Sequence, residues 1–132
     1  MSDPQISDAE WRVMQTVWRL RTATAAQVID ELSPVSGWRH RTIRTLLARL
    51  VEKGALAATA DGNRYVYRPA VRRSRCVRQE SRSFLNRVFS GDAAELLVHF
   101  VRTANIAPGE IERLKKLLEE RRPPDETSPR KR

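Results

Sequence analysis

Ile43, Leu46, Leu47 and Leu50 recur at i, i+3, i+4 and i+7, and Gly54 stands where such a run needs a stop. That spacing puts all four on one face of a helix, and a glycine just past the end supplies a left-handed cap. A helix over roughly Arg41–Lys53 is therefore predicted. It is too short to hold without partners for its apolar face, so the neighbouring segments must provide them.

Upstream, Ser7-Asp8-Ala9-Glu10 has the form of a capping box. It opens a helix to about Leu20 with Trp11, Met14 and Trp18 on a wide apolar face. Thr24-Ala25-Ala26-Gln27 is a second box, starting a short helix with Val28, Ile29 and Leu32. Ser33-Pro34-Val35-Ser36-Gly37 is predicted to break it. Downstream, 55–59 and 64–68 flank Asp61-Gly62-Asn63, the pattern of a hairpin with Asp-Gly in its turn and Pro69 as its stop. Helix, helix, helix, hairpin is the order of a winged helix-turn-helix.

From Val71 onward the pattern is helical. Val77, Ser81, Phe84, Leu85 and Val88 mark a fourth helix ended by Gly91. Asp92 to Glu95 caps a fifth carrying Leu97, Val98, Phe100 and Val101. Pro108 opens a sixth with Ile111, Leu114, Leu117 and Leu118. The fold class is thus mostly α with a small β-hairpin wing. The expected organisation is a DNA-binding domain over 1–70, a helical dimerisation domain over 71–122 and a disordered basic tail over 123–132. A 52-residue helical segment is marginal alone. The stripes of Phe84, Leu85, Val88, Leu97, Phe100, Val101, Leu114 and Leu118 are therefore expected to be covered by a second copy of the chain.

The third helix carries the functional argument. With its apolar face inward, it shows Arg41, Arg44, Thr45 and Ala48, with Thr42 at the start. Arginine can fork to guanine O6 and N7, threonine can meet a thymine methyl or a phosphate, and alanine permits close approach. Trp38, Arg39 and His40 precede it, where helix amides and positive charge favour phosphate. The 132 residues include 25 Lys and Arg against 16 Asp and Glu, a formal charge of +9. That excess suits a polyanionic partner, and it is densest in 69–92, beside the expected wing. Double-stranded DNA is the expected partner, and a cytoplasmic location is expected because no stretch resembles a signal peptide or membrane span.

Composition argues against catalysis and against a metal or other cofactor. The two histidines, His40 and His99, are far apart, and the single cysteine cannot build a multi-cysteine site. No phosphate-cradling glycine loop or nucleophile elbow is present. Cys76, flanked by Arg73, Arg75 and Arg78, reads either as a redox-sensitive thiol or as packing. His99 reads as an interface residue, since no second ligand lies within helical reach. Trp11 and Trp18 read as core. A rival reading is a winged helix that binds protein or RNA without recognising an operator, which would need an aromatic stacking surface such as Tyr65 and Tyr67.

The run Trp38 to Gly54 resembles the recognition-helix signature of the penicillinase-repressor family (BlaI, MecI and CopY). Ile6 to Met14 is similar to the family's first helix and Tyr65-Val66-Tyr67 to its wing. Phe84-Leu85 and Leu97 to Val101 resemble its C-terminal half, so the likeness spans about 5–120. It implies a homodimeric transcriptional repressor with a winged helix on a palindromic operator. Arg41, Thr42, Arg44 and Thr45 would face bases, and Gly62, Asn63 and Arg64 would form a wing tip near the backbone. Where members often have serine at the start of the recognition helix, this chain has Arg39, so the usual side-chain cap is lost and a phosphate contact would replace it. In the drug-resistance branch a membrane-bound metalloprotease sensor relieves repression by cleavage in the fifth helix. The matched bond here is His99-Phe100, where that branch has Asn-Phe. The cysteine cluster of the copper-sensing branch is missing.

Overall fold

The computed structural model describes residues 4–121. Its order is α1 (Asp8–Leu20), β1 (Ala23–Thr24), α2 (Ala25–Ser36), α3 (His40–Glu52), β2 (Leu56–Asp61), β3 (Arg64–Pro69), α4 (Arg73–Phe89), α5 (Ala93–Thr103) and α6 (Pro108–Glu120). Two compact units are present, one ending at Ser83 and the other starting at Phe84.

In the first unit the helices start as their sequences dictate. The Ser7 hydroxyl accepts from the Glu10 amide at 3.2 Å while the Glu10 carboxylate accepts from the Ser7 amide at 2.9 Å. Thr24 and Gln27 form the same reciprocal pair at 3.2 and 2.8 Å. The end of α3 is a Schellman motif: Ala55 N–H donates to the Leu50 carbonyl at 2.9 Å and Gly54 N–H to that of Val51 at 3.0 Å. Gly54 takes φ 86°, which other residues adopt only with strain.

The core joins Val13, Met14 and Val17 of α1, Val28, Ile29 and Leu32 of α2, and Ile43, Leu46, Leu47 and Leu50 of α3. Each buried aliphatic of this size contributes about 1.5–3 kcal/mol relative to exposure. Glu10, only 2% exposed, is held by the Lys53 ammonium at 2.5 Å. Lys53 also donates to the Gln5 carbonyl at 2.7 Å, tying the far end of α3 to the start of α1.

Several details differ from the sequence reading. A short strand, β1, joins the hairpin, so the sheet has three antiparallel strands in the order β1-β3-β2. Ala23 pairs with Tyr67 and Thr24 with Val66. Two residues carry no periodicity, and Thr24 also caps α2. The helix α2 runs through Pro34 and stops at Gly37 in the left-handed region; Pro34 lies in its last turn. Asp61 pairs with Arg64, so the turn residues are Gly62 and Asn63 rather than Asp-Gly. Gly62 takes φ 67°, as the first position of a primed turn requires. Pro69 is the last strand residue, opposite Leu56.

The first unit also extends past the expected boundary at residue 70. Trp18 Nε1 donates to the Val71 carbonyl at 3.0 Å, and Cys76 is buried in the core. The opening turns of α4 therefore pack with the winged helix, and the division between the units falls inside that helix.

The second unit contains the end of α4 with α5 and α6. Phe89 follows the expected stripe and α4 stops there, before Ser90 at φ 51° and Gly91 at φ 84°. The Asp92 side chain accepts from the Glu95 amide at 3.1 Å to start α5, and Pro108 is the first residue of α6. Phe89 meets Phe84 at 5.9 Å and His99 at 6.4 Å between ring centroids. Neither α5 nor α6 has a buried residue. The tail expected at 123–132 lies outside the described residues.

Candidate nucleic-acid interface

Because Ile43, Leu46, Leu47 and Leu50 turn inward, α3 presents Arg41, Thr42, Arg44, Thr45, Ala48 and Arg49 to solvent. Its N-cap is Arg39, which is extended and makes no side-chain cap bond, and the first turn holds no acidic residue. The leading amides of α3 thus meet no carboxylate or hydroxyl of their own helix. Such a start attracts anions, and Arg39 and His40 are exposed beside it.

The connection from α2 to α3 is only Gly37, Trp38 and Arg39. It is pinned on both sides: Ser33 Oγ donates to the Trp38 carbonyl at 2.9 Å, and Trp38 N–H donates to Ser36 Oγ at 3.0 Å. The Arg12 guanidinium sits 5.0 Å from the Trp38 ring centroid. This stacking joins α1 to the start of α3; it has no sequence signal, since 26 positions separate the two.

The wing meets the exposed face of α3 at a concavity of about 330 Å³. Arg44 of α3, Thr24, Ala25 and Ala26 at the start of α2, and Asn63, Arg64, Tyr65 and Tyr67 of the wing line it. Of the expected contact residues, Arg44, Asn63 and Arg64 are brought together there. Arg39, Arg41, Thr42 and Thr45 are exposed along α3 but do not line it. The start of α2 and Tyr65 are additions to the site. Thr24 reads in sequence as a cap and Tyr65 as a strand residue, and neither pattern reveals that both border Arg44.

Arg64 carries its own counter-charge, Asp61 at 3.5 Å, with both side chains exposed. Arg68 donates across the hairpin to Thr59 Oγ1 at 2.8 Å. Tyr65 is 57% exposed whereas Tyr67 packs against the core, so the two tyrosines do not make a stacking platform. Trp11 and Trp18 pack against the core and each other, edge to face at 5.5 Å.

Burial pushes the Glu10 carboxyl up, but the Lys53 hydrogen bond, the Ser7 amide and the Lys53 charge outweigh it. The group titrates below its ordinary value of 4.5.

In the second unit Phe84, Val88, Leu97, Phe100, Val101, Leu114 and Leu118 are exposed and Leu85 is half-buried. The His99-Phe100 bond lies inside α5, where the His99 carbonyl accepts from the Thr103 hydroxyl at 2.8 Å. Cys76 is buried, in keeping with packing. No group of His, Cys, Asp or Glu among the described residues could hold a metal, and no described helix is long and apolar enough to cross a membrane.

The profile of a family described as penicillinase repressor matches residues 6–120. The penicillinase repressor of Bacillus licheniformis is 39% identical over 117 residues, covering 89% of this chain and 91% of that protein. The methicillin resistance regulatory protein MecI of Staphylococcus aureus (strain N315) is 34% identical over 114 residues, 86% of this chain and 93% of the relative. Among solved structures, that of the DNA-binding domain of the repressor BlaI superposes with a TM-score of 0.52 at 44% identity, over 55% of this chain and 89% of that one. The monomeric form of B. licheniformis BlaI in complex with the blaP half-operator gives a TM-score of 0.50 at 44% identity, with the same coverage.

Proposed function

This chain belongs to the penicillinase repressor family, and from that premise we propose how it acts: as a DNA-binding transcriptional repressor, not an enzyme, that reads a palindromic operator as a homodimer. The observation that carries the reading is the convergence of Arg44 with Asn63 and Arg64 on one concavity beside an uncapped, acid-free helix start. Arg41, Thr42, Arg44 and Thr45 face base edges in the major groove. Arg39, Asn63 and Arg64 hold phosphates and set the register. To bind, Arg64 exchanges Asp61 for a phosphate, at little cost because an exposed pair is weak.

The homodimer forms through the second unit. Exposed stripes on α4, α5 and α6 support this, because adjacent apolar faces of this extent are usually covered by a partner. Pairing links two half-sites through a high effective concentration, so a modest single-domain affinity becomes tight occupancy. Repression is relieved when a membrane-bound metalloprotease sensor, acting directly or through another protein, leads to cleavage at His99-Phe100. A cut there leaves both DNA-binding units intact but no longer joined. The bond is helical, so α5 opens locally before the cut. The repressor acts in the cytoplasm, where its operator is.

A mobility-shift titration of the full chain tests the operator reading, using the DNA upstream of its own gene and a scrambled duplex of equal length. The upstream DNA is expected to bind at least tenfold more tightly. Equal affinity for both would overturn operator recognition. Mass spectrometry of the chain from derepressed cells tests the release step: a fragment ending at His99 is expected, and intact chains under full derepression refute it.

A further inference from the structure

Beyond the surface formed by α3 and the wing, positive charge is densest where β3 gives way to α4. Residues 69–92 hold six arginines against Glu80 and Asp92. Arg72, Arg75 and Arg78 recur every third position and, with Ser74, line a concavity of about 470 Å³. Its remaining lining residues are Ala70 and Val71, and no carboxylate is among them.

The other faces of this stretch are occupied. Cys76 lies in the core. Arg73, Val77 and Glu80 line a different concavity with Ile6, Asp8 and Trp11. The Arg72 carbonyl accepts from Cys76 N–H at 3.2 Å, which places Arg72 at the helix start, and the first turn has no acidic residue. Arg72 and Arg78 bring two guanidinium forks to this wall, and the planar fork of arginine matches phosphate oxygens. Ser74 adds a hydroxyl donor.

We propose that this concavity is a binding site for a multiply charged phosphate group, separate from the operator surface and independent of the operator reading. It shares no lining residue with the concavity at Arg44. Ala70 follows the end of β3 opposite the Gly62-Asn63 turn, and six strand residues span about 20 Å. A phosphate held by the wing tip therefore does not fill it. The same chemistry is offered by a free phosphate ester and by the backbone of a duplex that extends beyond the half-site.

The test is a titration of the isotopically labelled full chain with sodium pyrophosphate at constant ionic strength, followed at the arginine Nε–H signals. Saturable shifts are expected at Arg72, Arg75 and Arg78. The Arg72→Gln/Arg78→Gln variant should bind about tenfold more weakly or worse, from the loss of two charge-assisted contacts. The Arg72→Lys/Arg78→Lys variant keeps the charge and the fold but not the fork, and it too should bind more weakly. Linear, unsaturated shifts, shifts confined to α3 and the wing, or unchanged affinity in the lysine variant would overturn the site. Short and long random duplexes then separate the two sources, both of which support it. A defect of the glutamine variant that grows with duplex length assigns the phosphate to DNA, and duplex binding that the variant leaves unchanged while pyrophosphate binding weakens assigns it to a free ester.

Discussion

On the proposed operator reading, the arginines at the start and on the face of α3 have different work despite their shared charge. Arg41 and Arg44 lie on the exposed face, where a fork can meet a guanine edge; Arg39 precedes the helix and Arg64 sits at the wing. Arg44→Ala or Arg41→Ala is expected to cost about 1–3 kcal/mol per half-site on operator DNA and little on random DNA. Arg39→Ala and Arg64→Ala should weaken both alike and flatten the salt dependence. Anisotropy titrations on the two duplexes over a salt series check this, and equal losses for Arg44→Ala would move it to the backbone class. Glu10 gives a prediction in pH. Its folded pKa is depressed, so the stability it contributes is fully present above its ordinary value of 4.5 and is lost as pH falls through the lower folded value. Lys53→Met removes the hydrogen bond and the charge that counter burial, so the Glu10 titration should move upward. Carboxyl NMR of the two proteins measures it; an unmoved midpoint would mean that Lys53 does not hold Glu10.

Helix ends decided how much of the fold was legible. The capping boxes at Ser7 and Thr24, the period of α3 and the glycine at 54 are local signals, and each element they mark is present within a residue or so of its expected start. Pairings across the chain left no such trace. β1 exists because Ala23 and Thr24 lie against β3, and the stretch around Val71 and Cys76 joins the first unit through Trp18 and the core. Of the candidate interface, the exposed face of α3 follows from periodicity alone, whereas the meeting of Arg44 with the start of α2 and Tyr65 needs three dimensions. Gly54 tests the local part. A Cβ there would meet nothing within 4 Å, so Gly54→Ala carries only the left-handed conformational cost, about 1–2 kcal/mol. Chemical denaturation should show that loss with operator discrimination unchanged. A neutral result would remove the Schellman cap from the account of where α3 ends.

At the scale of the whole chain, the two units differ in what covers their apolar residues. The first closes on its own core; the second leaves Val101 64% and Leu118 56% exposed. Phe100→Asp or Leu118→Asp should therefore yield monomers by sedimentation at micromolar concentration while the first unit stays folded. A wild-type chain that sediments only as a monomer would sink the homodimer. A chain cut after Pro69 should be less stable than one cut after Ser83 by about 2–4 kcal/mol, since it lacks the Trp18–Val71 bond and buried Cys76. Equal denaturation midpoints would show that the start of α4 adds nothing. The outward residues of α3 have a consequence of another kind. Among the described residues, Arg41, Thr42, Arg44 and Thr45 make no side-chain hydrogen bond or ion pair, and none lies in the core. Their identities are free to change without loss of the scaffold. On the proposed reading, in which these four residues meet the bases, a duplicated gene can thus drift to a new DNA sequence by a few substitutions while it inherits folding intact, so regulatory circuits built on this chain can diverge faster than its architecture.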